Sequence, residues 1–122
     1  MAATSSRRIA LGRWGEQKAV DHLVGQGMQI VDRNWRSALG ELDIVAYDGS
    51  TLVMVEVKTR TSEAFGSPAE AVTPRKAARL RQLAAQWLSE HGDRPLDVRI
   101  DVVGVLVPPH GRARLDHRIG VA

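Results

Sequence analysis

The chain has 122 residues, of which 43% are hydrophobic and 25% are charged. These values are typical of one soluble domain, so we expect residues 1–122 to form a single domain with a flexible tail at residues 1–7. Cysteine is absent from the sequence, which excludes disulfides, thiolate metal sites and cysteine nucleophiles. The apolar stretches are too short to span a bilayer and no signal-peptide core follows the N-terminus, so we expect a cytoplasmic protein.

The basic excess is small but consists mainly of arginine. Seventeen Lys and Arg residues face fourteen Asp and Glu residues, which gives a net charge of +3, and fourteen of the seventeen cations are Arg. Because a guanidinium group binds phosphate through two parallel hydrogen bonds, a polyanionic partner is one explanation. A coding bias toward Arg is the other explanation, and composition does not decide between them.

Hydrophobic spacing predicts a helix and three strands in the first half of the chain. The predicted helix covers residues 8–24, and the predicted strands cover residues 28–32, 40–47 and 51–59. Asn34 is expected to open a polar turn after the first strand. Asp48 and Gly49 form a hairpin-turn signal, so the second and third strands should pair antiparallel.

The second half of the chain adds a helix and two strands. Thr73 is a typical N-cap and Pro74 a typical first helical residue, and the predicted helix extends to about Glu90. A β-branched strand is predicted at residues 98–107 and a short edge strand at residues 112–119. The order α-β-β-β-α-β, with the edge strand added at the end, predicts an α/β domain with a mixed sheet flanked by helices.

Three carboxylates stand where the pattern favours apolar residues. Glu16 lies within the apolar stripe of the first helix, and Asp43 interrupts the second strand. Glu56 begins a Glu-x-Lys pattern that ends at Lys58, near the end of the third strand. Taken singly, each of these residues is also compatible with a solvated side chain or a surface ion pair.

Strand alternation assigns the faces on which these residues should lie. Leu42 and Ile44 are expected on one face of the second strand and Asp43 on the other. Glu56 and Lys58 are expected on one face of the third strand, roughly 6.5–7 Å apart. Pairing the two strands about their turn brings Asp43 and Glu56 to roughly opposite positions.

Two converging carboxylates repel each other unless a cation neutralises them. Mg²⁺ suits this place because it takes oxygen ligands and is often held by one or two carboxylates plus waters and phosphates. Mn²⁺ is the alternative ion. Lys58 would then hold or deprotonate a water, or contact a phosphate oxygen. The set is suited to metal-assisted hydrolysis of a phosphodiester.

Residues 40–46 and 55–60 resemble the PD-(D/E)XK nuclease superfamily, and the predicted element order resembles its restriction-endonuclease-like core. The chain is similar over nearly its whole length to the YraN-like family, a group of small bacterial proteins with a predicted endonuclease fold. The further pieces that carry this similarity are Gly15, Glu16 and Ala19, residues 33–36, Gly66, Lys76 and residues 99–103.

The resemblance implies roles for individual residues. It makes Asp43 and Glu56 metal ligands and catalytic residues, and it makes Lys58 a catalytic residue. Archaeal Holliday-junction resolvases add a glutamate from the first helix, and Glu16 fits that position as a further metal ligand. Leu42 stands where the name of the superfamily motif has proline.

The implied function is a Mg²⁺-dependent endonuclease acting on DNA, branched or otherwise structured DNA included. A non-catalytic nucleic-acid-binding module that keeps the nuclease fold is the alternative, and a protein-interaction domain is a third interpretation. The sequence leaves open whether a homodimer forms.

Basic residues near these motifs are expected to follow a nucleic-acid backbone without reading its sequence. They are Arg33, Arg36, Arg60, Arg75 and Lys76. The last two lie at the start of the second helix, where the helix N-terminus itself favours phosphate. Trp14, Trp35 and Trp87 are expected to be packing residues. Asp101 interrupts an apolar strand and either supports the site or bonds to an arginine, Arg99 or Arg36, and the structural role is the one expected.

Overall fold

The computed structural model describes residues 2–64, 66 and 72–121, with side chains from Ser6 onward. The elements of this part of the chain are α1 (Ala2–Gly25), β1 (Gln29–Ser37), β2 (Gly40–Asp48), β3 (Thr51–Arg60), α2 (Pro74–His91), β4 (Asp97–Leu106) and β5 (Arg114–Arg118). Their order confirms the predicted α/β class and includes the short last strand.

The strands form one mixed sheet in the order β1-β2-β3-β4-β5. Strands β1 and β2, β2 and β3, and β4 and β5 pair antiparallel, whereas β3 and β4 pair parallel. The tight turn between Asp48 and Thr51 forces the antiparallel hairpin, and α2 provides the long crossover that a parallel pair requires. The predicted mixed sheet is therefore confirmed.

Apolar side chains fill one cluster on each face of the sheet. On one face α1 contributes Ala19 and Leu23, which pack against Val53 and Val55 of β3. On the other face α2 packs against the alternate residues of the same strand. The members of this second cluster include Leu52, Met54, Leu83, Trp87 and Ile100. The alternation predicted for β3 is confirmed, because its successive side chains enter the two clusters in turn.

The first strand is longer than predicted. The pattern placed a strand at residues 28–32 followed by a turn, but β1 continues through Asn34 to Ser37. Asn34 adopts a left-handed conformation with φ 52°, which asparagine tolerates better than most residues. It therefore interrupts the strand without ending it, and Arg33 and Arg36 lie in a strand rather than in a turn.

This interruption also corrects the faces assigned to β2. Ile44 packs in the α1 cluster but Leu42 packs in the α2 cluster, so the two residues do not share a face. The register pairs Arg33 with Ile44 and Trp35 with Leu42, and the left-handed Asn34 lies between these two pairs. An irregular residue at this point turns the strand, as a β-bulge does, and period-two counting fails across it.

Helix α1 begins at Ala2, six residues before the predicted start, while the flexibility of residues 1–7 stays a prediction. It approaches β3 closely at Gly15, where an added Cβ would lie 2.0 Å from Thr59 Oγ1. Trp14 is 42% exposed, so its expected place in the core is wrong. No helix of the described residues is both long and apolar enough to cross a membrane.

Helix α2 begins as its sequence predicts. The Thr73 hydroxyl oxygen accepts a hydrogen bond from the Lys76 amide at 3.1 Å, and Pro74 is the first helical residue. The helix ends at Gly92, which is left-handed with φ 72°. The predicted packing role of Trp87 is confirmed, because its side chain is buried against the sheet.

Candidate active site

An open cleft of about 790 Å³ lies between the N-terminal half of α1 and the end of β3. Its polar and charged lining includes Arg8, Arg13, Glu16, Asp43, Thr59 and Arg60. The close approach of α1 to β3 at Gly15 brings the two walls of the cleft together. Two predicted metal ligands, Glu16 and Asp43, therefore line the same cleft.

Asp43 is the most strongly perturbed group of the cleft. Its Oδ2 atom accepts a hydrogen bond from the Val57 amide at 2.9 Å. Burial raises the pKa of Asp43 to about 7, although this hydrogen bond lowers it, and the negative charges of three neighbours raise it further. These neighbours, in decreasing order of effect, are Glu56, Glu41 and Glu16. The charged groups that act on the pKa of Asp43 are therefore all acidic.

Glu56 lies next to Asp43 across the β2–β3 hairpin. The paired register of the hairpin ends at Ile44 and Val55, and Asp43 and Glu56 are the next residues of the two strands, so their direct opposition stays a prediction. The Glu56 side chain is 14% exposed, and its Oε1 atom lies 2.7 Å from Lys76 Nζ of α2. Its Oε2 atom is buried and has no hydrogen-bond partner among the described residues. One oxygen of this carboxylate is therefore available to a further ligand.

Glu16 is held by two residues of β1. Its Oε1 atom accepts from Arg33 Nε at 3.3 Å, from Arg33 Nη2 at 3.2 Å and from Asn34 Nδ2 at 2.8 Å. The left-handed backbone of Asn34 places these two consecutive side chains against α1. Glu16 is thus a partly buried carboxylate on the apolar side of α1, with its partners supplied by the sheet.

Lys58 lies apart from the cleft. It is beside Gly104 of β4 and, by strand alternation, on the same side of the sheet as Glu56. It makes no ion pair with any residue of the described part of the chain. The predicted site therefore surrounds the end of β3, with Glu16 and Asp43 toward α1 and with Glu56 and Lys58 toward α2.

The carboxylate oxygens of this site are the candidate ligands of a divalent cation. No three His, Asp or Glu side chains of residues 2–64, 66 and 72–121 are grouped so that they would hold a metal ion together. Glu16 and Glu56 are turned toward their own cations, which accounts for this. Asp43 and Glu56 nevertheless form a pair of oxygen donors with one unpartnered oxygen, and Mg²⁺ is often held by only one or two carboxylates. The charge of Glu56 acts on Asp43, so these two carboxylates are the candidates for a two-carboxylate cation site.

The predicted phosphate-binding residues divide into two groups. Three of them pair with glutamates: Arg33 with Glu16, Arg36 with Glu41 at 3.0 Å, and Lys76 with Glu56. Arg60 lines the cleft and donates to the Thr59 carbonyl oxygen at 2.8 Å. Arg75 is exposed in the first turn of α2.

Sequence reasoning missed two arginines of the cleft. Arg8 and Arg13 of α1 line the same cleft as Asp43. A signal was present, because Arg8, Gly12 and Glu16 are four residues apart and therefore lie along one side of a helix. Both arginines lie within the helix predicted at residues 8–24, but only the packing of α1 shows which side of this helix meets β3.

Comparison with known proteins gives the family context of this site. A family model described as "Uncharacterised protein family UPF0102" matches residues 15–105. A UPF0102 protein of Beutenbergia cavernae is 57% identical over 112 residues, which cover 92% of this chain and 95% of that protein. One of Frankia alni is 57% identical over 111 residues, covering 91% and 92%. One of Streptomyces coelicolor is 52% identical over 122 residues, covering 98% and 94%.

Proposed function

We propose that this chain is a metal-dependent endonuclease of DNA. The chain belongs to the UPF0102 family, and this membership confirms the resemblance to YraN-like proteins. The descriptions of its relatives state no activity, so the proposal rests on the site residues. Branched or otherwise structured DNA is the proposed substrate, and Mg²⁺ or Mn²⁺ is the proposed ion.

The observation that carries the proposal is the group of acidic residues that acts on the buried Asp43. Its pKa is raised to about 7, and a buried oxygen of the neighbouring Glu56 has no described partner. Lys76 offsets part of the negative charge of this pair, and a divalent cation would offset more of it. We propose that Asp43 and Glu56 hold the divalent ion and that Glu16 supports it from the wall of the cleft. The bound ion would polarise a phosphoryl group and lower the pKa of an attacking water.

The basic residues of the cleft account for the substrate in this proposal. Arg8 and Arg13 of α1 lie on the same cleft as Arg60 of β3, and guanidinium groups bind phosphate oxygens in pairs. Contacts of this kind hold a nucleic-acid backbone without reading its bases. Lys58, which has no ion-pair partner in the described part of the chain, is assigned to the water or to a phosphate oxygen. Its role does not require it to bind the ion.

The test is cleavage of branched, single-stranded and duplex DNA in Mg²⁺ and in Mn²⁺ by the purified protein. Asp43→Asn and Glu56→Gln should abolish cleavage and leave DNA binding intact or stronger, because each removes a negative charge without changing side-chain size. Lys58→Ala should retain the ion but lose on the order of 10²–10³ in cleavage rate. Glu90→Gln, an exposed change on α2, is the matched control and should cleave like the wild type.

Cleavage that survives Glu56→Gln would identify a contaminating nuclease and contradict the proposal. The arginines of the cleft have a separate readout, because their DNA affinity should fall steeply with salt and show little sequence preference. Arg13→Gln should weaken binding to all sequences alike, whereas Arg94→Gln, an exposed change beyond α2, should not.

A non-catalytic nucleic-acid-binding module is the second candidate. It is favoured by the ion pairs that engage Glu16 and Glu56 within the protein, since these reduce the need for a metal. Calorimetric titration of Mn²⁺ separates the two candidates. An endonuclease should bind the ion and lose it in Asp43→Ala, whereas salt-sensitive DNA binding with neither ion binding nor cleavage would support the module.

A further inference from the structure

Each carboxylate that flanks Asp43 is paired with a basic side chain from another element. Glu56 Oε1 is 2.7 Å from Lys76 Nζ, and Glu16 Oε1 is 3.2 Å from Arg33 Nη2. These basic residues are two of those that the sequence analysis selected as phosphate ligands. The same two cations are therefore candidates for two kinds of anion, a protein carboxylate and a nucleic-acid phosphate.

The two members of each pair differ in exposure. Both glutamate side chains are 14% exposed, whereas Lys76 is 43% exposed and Arg33 is 38% exposed. A long basic side chain at the surface can turn toward solvent, but a carboxylate in the wall of the protein has little room to follow. A phosphate that arrives from solvent therefore competes for the cation rather than for the carboxylate.

We propose that Lys76 and Arg33 are exchangeable counter-ions, so that nucleic-acid phosphates draw them away from Glu56 and Glu16 and free both carboxylates for a divalent cation. The inference rests on the proposed function of the same site. It adds that nucleic acid and metal bind cooperatively.

Thermodynamic linkage gives the inference a quantitative form. If nucleic acid raises the affinity for the ion by some factor, the ion must raise the affinity for nucleic acid by the same factor. Couplings of this kind are typically about 5–150-fold. Removal of one counter-ion should supply part of this gain in advance, because Glu56 is then free before nucleic acid binds.

The experiment measures Mn²⁺ affinity by electron paramagnetic resonance, with and without a duplex whose phosphorothioate linkages resist cleavage. In the wild type the duplex should raise Mn²⁺ affinity at least about 5-fold, and Mn²⁺ should raise duplex affinity equally. Lys76→Gln should bind Mn²⁺ more tightly than the wild type without DNA and should show a smaller coupling factor. Arg33→Gln should act in the same direction through Glu16.

Arg79→Gln is the matched control, since it removes one positive charge from the next turn of α2 at an exposed residue that pairs with neither carboxylate. It should change Mn²⁺ affinity less than Lys76→Gln does. A coupling factor of one in the wild type, or weaker Mn²⁺ binding by Lys76→Gln with an unchanged melting temperature, would overturn the inference alone. Absence of both Mn²⁺ and DNA binding would overturn it together with the proposed function.

Discussion

Two aspartates in neighbouring parts of the sheet show how differently the same sequence signal is used. Asp101 of β4 is fully buried, at 0% exposure, and its oxygens accept from Arg99 Nε at 2.9 Å, Arg99 Nη2 at 3.1 Å and the Gly120 amide at 3.0 Å. His117 Nε2 lies 2.8 Å from the same carboxylate. Asp43 instead accepts from one amide, that of Val57, and its charged neighbours are acidic.

The comparison separates a structural carboxylate from a candidate functional one. Asp101 confirms the expected bond to Arg99, and its partners fill the hydrogen-bonding capacity that burial would otherwise leave unsatisfied. Asp43 has a less complete set of partners and lies in a cleft. A buried aspartate is therefore not by itself a candidate functional residue, whereas a buried aspartate whose pKa is raised by acidic neighbours is one. The predictions that follow test this contrast.

The largest expected effect is the loss of Asp101. Asp101→Asn removes the buried one of the two carboxylates that pair with Arg99, so unfolding free energy should fall by about 3–5 kcal/mol, the range for breaking one side of a buried ion pair. Urea unfolding at pH 7 measures the change. The exposed control Glu90→Gln should remain within about 0.5 kcal/mol of the wild type. A loss of unfolding free energy below about 1 kcal/mol for Asp101→Asn would contradict the structural role assigned to Asp101.

The change at Asp43 should have the opposite sign. Its pKa is raised from 3.8 to about 7, so the folded state binds the proton more tightly than the unfolded state. The stability linked to this proton is complete below pH 3.8 and is lost as the pH rises through 7. Asp43→Asn should therefore stabilise the metal-free protein at pH 8.5, by roughly 2–4 kcal/mol at about 1.4 kcal/mol per pKa unit.

Urea unfolding in a metal chelator at pH 4 and pH 8.5 measures this effect. The two proteins should be nearly equal at pH 4 and differ at pH 8.5, and added Mn²⁺ should reduce the difference by stabilising only the wild type. Destabilisation by Asp43→Asn at both pH values would place Asp43 in the same class as Asp101.

Helix α1 connects the two regions, since Glu16 lies in the cleft and His22 contacts His117 beside Asp101. Gly15→Ala should displace this helix, because the new Cβ would lie 2.0 Å from Thr59 Oγ1. Overpacking of this kind typically costs about 1–3 kcal/mol. Thermal unfolding measures the loss, and NMR shifts near both aspartates report whether both regions move.

Gly12→Ala is the matched control for the helix. The added Cβ at this position meets no atom within 4 Å, so the substitution should be neutral or stabilising. A second test is Thr59→Ala, which removes the crowded atoms and should recover most of the loss caused by Gly15→Ala. No recovery would contradict the assigned clash.

The smallest expected effect is a pH dependence near Asp101. His22 Nε2 lies 3.1 Å from His117 Nδ1, and burial, followed by the positive charge of His117, lowers the pKa of His22 from 6.5. The folded state therefore favours neutral His22, and stability should fall as the pH falls below 6.5. His22→Gln should flatten this decline slightly between pH 7.5 and pH 5.5 in thermal unfolding. An unchanged decline would show that His22 does not contribute to it.

Much of the fold was predictable because its signals are local. The cap formed by Thr73, the β2–β3 hairpin and the apolar alternation of β3 depend on residues close in sequence. The turn predicted at Asn34 was wrong. Asparagine favours turns, but here its left-handed conformation occurs inside a strand. The packing predicted for Trp14 was wrong because its ring lies at the surface of α1, where it is 42% exposed and Lys18 Nζ lies 5.1 Å from its centroid.

The sequence by itself determined the order of elements and the antiparallel pairing of β2 with β3, since a tight turn fixes the register of a hairpin. Only the tertiary structure decided the partners of the charged residues. Lys76 meets Glu56, and Arg33 meets Glu16, across different elements. The physical reason is that hydrophobic burial positions the helices and strands with little regard to charge. The cation that each carboxylate receives depends on which elements that packing brings together.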